Sequence, residues 1–383
     1  MHLHFLSLSI PNKKLTHFLI IFFSLTLTSI LCYVVFSPFQ PVSLFNIGFL
    51  YQILPEKPRP RPCDYSNGKW VWDETLPDRR YTEKCPFLDP GFRCHESGRQ
   101  DLGYQKWRWQ PQACNLPRFD ANDFLERSRN GRIVFAGDSI GRNQWESLIC
   151  MLAQGVSNYS TIYEEHGNPI TKHKGSLSIK FQEYNLTVQY YRVPYIVVID
   201  RPPRNAPEEV RGVIRVDKLH WFSDKWIGAD VLVFSAGHWW NQDKTLKSLK
   251  LIYGLPVPNL SIRGHYFQEK EGGEWNKGGT CNMSREPETD YSKLGSEPPN
   301  NIMIYEVVEQ MKSAMRTINF LNITYLTEFR KDGHPSSNRE PGTPADAPED
   351  CSHWCLPGVP DTWNELLYAE LLRMKFRTRT TRR

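Results

Sequence analysis

The apolar positions of this chain follow three successive patterns. Leu15 to Phe36 is one continuous apolar run, long enough to cross a bilayer, and no Asp, Glu, Lys or Arg occurs from Leu15 to Pro55. From Cys63 to about residue 130 cysteine, tryptophan and proline dominate with little helical period, which predicts a loop-rich segment held by disulfides. From 131 onward strand-like and helix-like stretches alternate. Ile133 to Ala136 is strand-like, and Arg142 to Leu152 places Trp145, Leu148, Ile149 and Leu152 at helical spacing. Leu186 to Ile199 holds two extended runs, and Asp230 to Ser235 reads as a buried strand. Asn300 is expected to cap a helix from Ile302 to Phe320, with Asn322 to Thr327 as the next strand. The stretch from Glu269 to Pro299 reads as a long loop tethered by Cys281.

Strands interleaved with helices predict an α/β fold in three layers around a mostly parallel sheet, with the site at the carboxyl ends of the strands. The predicted organisation is a short tail (1–14), a transmembrane signal anchor (15–36), a stem (37–62), a Cys/Trp-rich segment (63–130), an α/β catalytic domain (131–372) and a basic tail (373–383). Lys13 and Lys14 before the span favour a type II topology, a single-pass anchor with the bulk of the chain lumenal. Neither a short apolar region nor a small-residue cleavage site is evident, so a retained anchor is expected rather than a cleaved leader.

Composition sharpens this picture. The 383 residues are 40% hydrophobic and 13% aromatic, enough for a substantial core. The net charge of +5 is concentrated in Arg373, Lys375, Arg377, Arg379, Arg382 and Arg383, so the folded body is near neutral. A frayed, solvated terminus accounts for that cluster, and no nucleic-acid role is expected behind an anchor. Apart from Cys32 in the span, Cys63, Cys85, Cys94, Cys114, Cys150, Cys281, Cys351 and Cys355 suggest four disulfides of open pairing. Cys351 and Cys355 lack a second closely spaced pair, so no metal site is expected. Sequons at Asn158, Asn185, Asn259, Asn282 and Asn322 are candidate glycosylation sites and fit a lumenal surface.

The candidate chemistry is split along the chain. Gly137-Asp138-Ser139 follows the strand and opens the helix, which presents a serine hydroxyl at the sheet edge beside a helix N-terminus. Asp350-x-x-His353 lies far downstream and supplies a base and its carboxylate from one turn. Ser139, His353 and Asp350 together form a nucleophilic triad. Taken alone, Gly-Asp is ordinary turn chemistry, and Asp350 and His353 would serve equally as a turn cap and a packing residue against Trp354. Oxyanion or substrate candidates are the Ser139 N–H, Asn143, Arg142, Gly237, His238, Trp239 and Trp240, the two tryptophans as faces for sugar rings; Arg142 and Asn143, early in the helix, are expected to orient the loop or bind substrate. His238 is also a competing base.

Several segments, in order, resemble one family. They are Cys63-Asp64, Gly68-Lys69-Trp70-Val71, Tyr104 to Trp109, Cys114 to Phe119, Phe135 to Asn143, Gly237-His238-Trp239-Trp240, Asp350 to Gly358 and Asp361-Thr362-Trp363-Asn364. The chain is similar to the plant trichome birefringence-like polysaccharide O-acetyltransferases, PC-esterase proteins related to the SGNH/GDSL esterases. The resemblance implies an SGNH-like fold, Golgi residence, Ser139 as nucleophile, His353 as base and Asp350 as its partner. It also implies a cell-wall polysaccharide acceptor. No bound cofactor is expected; the sequence does not identify the acetyl donor, for which acetyl-CoA or an acetylated carrier are the candidates, and no Gly-rich phosphate cradle points to the first. The Gly-Arg-Asn-Gln-Trp-Glu-Ser wording after Ser139 resembles a subgroup linked to pectin. Many members carry Asn-x-Gly before His-Trp-Trp, whereas here Ser235-Ala236-Gly237 stands, so an asparagine donor would need a replacement. The same triad with water as acceptor would make a polysaccharide acetyl esterase, and the tryptophan pair with the basic tail would suit a non-catalytic binder.

Overall fold

The chain was analysed as a computed structural model that describes residues 63–240 and 280–378, apart from 207, 209, 211, 283, 291, 293, 295, 296 and 314–316. The expected anchor, its flanks, Asn259 and the end of the basic tail lie outside the described residues.

Two short strands begin the described part, β1 (Gly68–Trp72) and β2 (Trp107–Pro111), paired antiparallel with Trp70 opposite Trp109 and Trp72 opposite Trp107. Each tryptophan pair meets edge to face, with ring centroids 5.5 and 5.2 Å apart. A Cβ on Gly68 would lie 2.3 Å from the Gln110 carbonyl oxygen, so only glycine permits this approach. The rest of this segment is turns, as its lack of period predicts, and ends in helix α1 (Ala121–Arg127), capped by Asp120.

The central sheet contains β3 (Arg132–Gly137), β4 (Ile162–Glu164), β5 (Ser176–Phe181), β6 (Leu186–Arg192) and β9 (Val231–Ser235), in the order β4-β5-β6-β3-β9. β3 runs parallel to both β6 and β9, while β4–β5 and β5–β6 are antiparallel. The sheet is therefore mixed, not mostly parallel. The connection Gln182–Asn185, with Asn185 at φ 48°, is long enough for a hairpin and far too short for a parallel crossover. β7 (Val197–Asp200) and β8 (Val213–Leu219) pair separately.

β3 is buried on both faces. Ile133 and Phe135 pack with Trp145, Leu148, Ile149 and Leu152 of helix α2 (Ser139–Ala153), while Val134 and Ala136 pack with Tyr191, Val193 and Trp226, the last from the short helix α3 (Ser223–Trp226). β9, expected to be fully buried, instead leaves Leu232 and Phe234 partly exposed.

Helix α4 (Pro299–Ser313) starts before the expected position, with Pro299 in its first turn and Asn300 inside the helix rather than capping it. Residues 322–327, expected as a strand, instead lead into helix α5 (Thr324–Glu328). The Asn322 side chain accepts from the Thr324 N–H at 3.1 Å, and Leu326 and Phe329 meet Trp109, Trp354 and Trp363 at helical spacing. The last helix, α6 (Val359–Arg373), packs on α2. Residues 374–378, the part of the basic tail that is described beyond this helix, are docked rather than frayed, with the Thr378 N–H donating to the Arg127 carbonyl at 2.9 Å.

Candidate active site

Ser139 is the first residue of α2. It stands just past the position where Gly137 of β3 pairs with Ser235 of β9. A Cβ on Gly137 would lie 2.0 Å from the Ser235 carbonyl oxygen, and one on Gly141 would lie 2.9 Å from the Ser235 Cβ. Both glycines thus let the start of α2 settle against β9. Asp138 is the cap. Its carboxylate accepts from the N–H groups of Ile140 (2.9 Å) and Gly141 (3.4 Å), and its own N–H donates to the Ser235 carbonyl at 2.8 Å. The Asp138 carbonyl accepts from the Tyr190 hydroxyl at 2.9 Å. Every residue from 133 to 153 is buried except Ser139. The nucleophile candidate is the one position where this core opens to solvent, at a helix N-terminus whose dipole favours developing negative charge.

The Asp-x-x-His segment has no regular secondary structure. His353 Nδ1 contacts the two Asp350 carboxylate oxygens at 3.0 and 2.9 Å, and Asp350 Oδ1 also accepts from the N–H groups of Ser352 and His353 at 3.1 and 3.2 Å. Burial alone would raise Asp350, but the His353 charge and these donors hold its carboxyl well below the usual range. Burial alone would lower His353, but Asp350 outweighs it and the imidazole is raised; Asp138 adds in the same direction, and Lys172 opposes. With Nδ1 directed to the carboxylate, Nε2 is the nitrogen left for proton transfer. Among the described residues the Ser139 hydroxyl makes no hydrogen bond to His353, whose ring contact is with Asp350.

Asn143 joins the two halves. Its Oδ1 accepts from the Trp354 N–H at 2.8 Å and its Nδ2 donates to the Trp354 carbonyl at 3.1 Å, so an amide one turn along α2 grips the residue after His353. That two-way clamp uses one of the two Nδ2 hydrogens and gives Asn143 the loop-orienting place expected of it. Arg142 is also turned inward. It is buried, with Nε on Glu146 at 2.6 Å and a terminal nitrogen on the Thr171 carbonyl at 2.5 Å. Burial pushes Glu146 up to about 7 despite this guanidinium.

Gly237, Trp239 and Trp240 follow β9 at the same sheet edge as Ser139. Tyr195 meets both tryptophan rings edge to face, at 5.7 and 5.8 Å between centroids. Both indoles are half-buried, and the His238 side chain lies outside the described residues. Of the sequons, Asn158, Asn185 and Asn282 are exposed, while Asn322 is half-buried with its amide donating to Glu297 at 3.0 Å.

The eight cysteines among the described residues pair as Cys63–Cys114, Cys85–Cys150, Cys94–Cys355 and Cys281–Cys351. The last two brace the loop of His353 from both sides. Cys281, Glu349 and Cys351 cluster closely, but the cysteines are oxidised and offer no thiolate to a metal.

Several residues of the site were not singled out by sequence. His334 is buried with its ring 4.7 Å from that of Trp354, and its Nδ1 donates to the His353 carbonyl at 2.7 Å. Burial lowers it to about 4, so it is neutral at ordinary pH. Arg99 donates to the carbonyls of Asp332 (2.6 Å) and His334 (2.9 Å). Phe92 sets its ring 5.6 Å from that of His353. The Gly-His-Pro-Ser stretch at 333–336 carries no spacing that marks it.

Comparison with known proteins places these features in a lineage. Residues 116–264 and 258–370 match PC-Esterase, the GDSL/SGNH-like acyl-esterase family found in Pmr5 and Cas1p, and residues 61–115 match the PMR5 N-terminal domain. The chain is 52% identical over 354 residues to protein trichome birefringence-like 9 of Arabidopsis thaliana, covering 83% of this chain and 86% of that protein. It is 38% identical over 347 residues to protein trichome birefringence-like 6 (82% and 71% covered) and 35% identical over 351 residues to protein trichome birefringence (81% and 56%), both of Arabidopsis thaliana.

Proposed function

The chain belongs to the trichome birefringence-like family of PC-esterase proteins, and on that premise we propose that it transfers acetyl groups to hydroxyls of a cell-wall polysaccharide through an acetyl-serine. One observation carries the reading. The single accessible residue of an otherwise buried strand-and-helix run is a serine, and the helix it opens is clamped through Asn143 to the loop holding the Asp350–His353 pair.

In the first step Ser139 Oγ attacks the acetyl carbonyl while His353 Nε2 takes its proton. The resulting oxyanion faces the Ser139 N–H at the start of α2, with Gly237, just past the end of β9, as the candidate for a second backbone donor. Collapse of the intermediate expels the donor's leaving group, which takes the proton from His353, and leaves acetyl on Ser139. In the second step a sugar hydroxyl gives its proton to His353 and attacks the acetyl-serine, regenerating the free serine and forming the new ester. Asp350 holds the imidazole tautomer and stabilises the imidazolium in both steps.

The donor is acetyl-CoA or an acetylated carrier, and the acceptor is a pectin such as rhamnogalacturonan ahead of xylan or mannan. The setting is the Golgi membrane, with a type II anchor at 15–36 and the catalytic part lumenal. Incubating the full-length protein with labelled acetyl donor and a panel of deacetylated polysaccharides tests the reading. Label on the polymer, and on Ser139 when acceptor is withheld, is the expected result. Release of acetate from acetylated polymer with no transfer would instead make the protein an esterase, as its family description allows. Polymer binding unchanged in Ser139→Ala with no turnover in either form would make it a binder.

A further inference from the structure

One buried carboxylate sets two walls of the site. Asp89 Oδ1 accepts from the Gly91 N–H at 2.8 Å, capping the turn Pro90–Phe92 that brings the Phe92 ring to His353. Its Oδ2 accepts from the Lys172 N–H at 2.5 Å. The Asp89 N–H in turn donates to Glu146 on α2 at 2.7 Å, and Arg142, paired to Glu146, holds the neighbouring Thr171 carbonyl. Lys172 is thereby tied to the elements that carry Ser139 and Phe92 by the bond from its backbone N–H to the buried Asp89, while its side chain stays 48% exposed. Its ammonium pairs with Glu340, itself 27% exposed and lying against Gly91.

We propose that Lys172 selects acceptors carrying a carboxylate, with Glu340 as the resident counter-ion that a uronate of the polymer displaces. The proposal rests on Ser139 and His353 being the reacting pair. An exposed ion pair is held weakly, so an incoming carboxylate exchanges with Glu340 at little cost. The exchange also serves the chemistry. A uronate beside His353 with no cation would add to the pull of Asp350 and hold the imidazole in its protonated, inactive form. Lys172 already acts on His353 in the opposite sense. A neutral polymer gains nothing from the lysine, so the effect appears as selectivity.

The test is the ratio of kcat/KM on polygalacturonate to that on unsubstituted xylan at low salt. Lys172→Ala lowers this ratio about three- to fivefold, the size expected for one exposed ion pair. Glu340→Gln raises it, a gain that a folding defect cannot produce. Both shifts fade at high ionic strength. A ratio unmoved by either substitution overturns the proposal. Retardation of the full-length protein in polygalacturonate gels reads Lys172 without turnover. A wild-type protein that acetylates neither polymer, yet is retarded more than K172A, overturns the acetyl-transfer reading and keeps this one; equal retardation of the two overturns this one.

Discussion

The serine and the histidine sit in regions that hold their shape by different means. The Ser139 elbow is a product of local sequence. A buried strand, two glycines against Ser235 and an aspartate cap set its geometry through backbone bonds and close packing. The loop of Asp350 and His353 has no ladder or helix. It is held by Cys94–Cys355, Cys281–Cys351, a two-residue bridge between Ser336 and Asp350, and side chains from distant segments. A reactive side chain in regular structure is thus positioned by its neighbours in sequence, whereas one in a loop depends on crosslinks, and the two fail differently when altered.

The largest expected effect comes from removing the reacting groups. Ser139→Ala should lower turnover by roughly 10⁴-fold or more with an unchanged melting temperature, since its side chain is outside the core. Asp350→Asn should lower it by roughly 10³–10⁴-fold by turning the imidazole into the wrong tautomer. Because Asp350 raises His353, the acid limb of the wild-type pH–rate profile should lie above the ordinary histidine value, activity being lost as pH falls through it. In Asp350→Asn the limb should move down. A wild-type limb below the ordinary value would break the pairing of these groups.

The two regions also differed in how far the sequence revealed them. The elbow was legible because strand, glycine, cap and helix are consecutive. Asp350 and His353 were legible because three-residue spacing lets one turn join them. What held the loop was not, since Asn143 meets Trp354 across 211 positions and Cys94 meets Cys355 across 261. Asn143, expected early in the helix to orient the loop or bind substrate, does hold the loop with its amide. The parallel half of the sheet follows from the alternation of strands and helices, whereas the hairpin of β5 and β6 breaks that alternation. Residues 322–327 are apolar enough for a strand, and only the tryptophans they meet select the helix.

Disulfides sharpen the contrast at the next scale. Removing either Cys85–Cys150, which ties α2 to the N-terminal segment, or Cys281–Cys351, which ties the loop, should cost about 2–5 kcal/mol of stability. Only the second should lower kcat well below the folded fraction, by about tenfold or more, because only it frees the base. Equal kcat in the two folded variants would mean that the loop holds itself. Asn143→Ala should cost about 1–3 kcal/mol, from the unpaired Trp354 groups, and lower kcat with little change in KM.

The smallest effect separates two histidines that are one hydrogen bond apart. His334 is lowered to about 4 by burial, against an ordinary 6.5 in the unfolded chain. Between those values the unfolded state binds the extra proton, so stability falls as pH drops from about 6.5 towards 4, by about 2 kcal/mol between pH 7 and pH 5. His353 works in the opposite sense. Its raised value contributes stability that is fully present below the ordinary histidine range and lost as pH rises through the folded value. His334→Asn keeps a side-chain donor for the His353 carbonyl but has no proton to gain. Urea denaturation of both proteins across pH 5 to 7 should therefore give a wild-type curve that declines towards acid more steeply than the variant's. Parallel curves would show that His334 takes its proton without unfolding the loop, and the acid sensitivity would then have to be sought outside this pair.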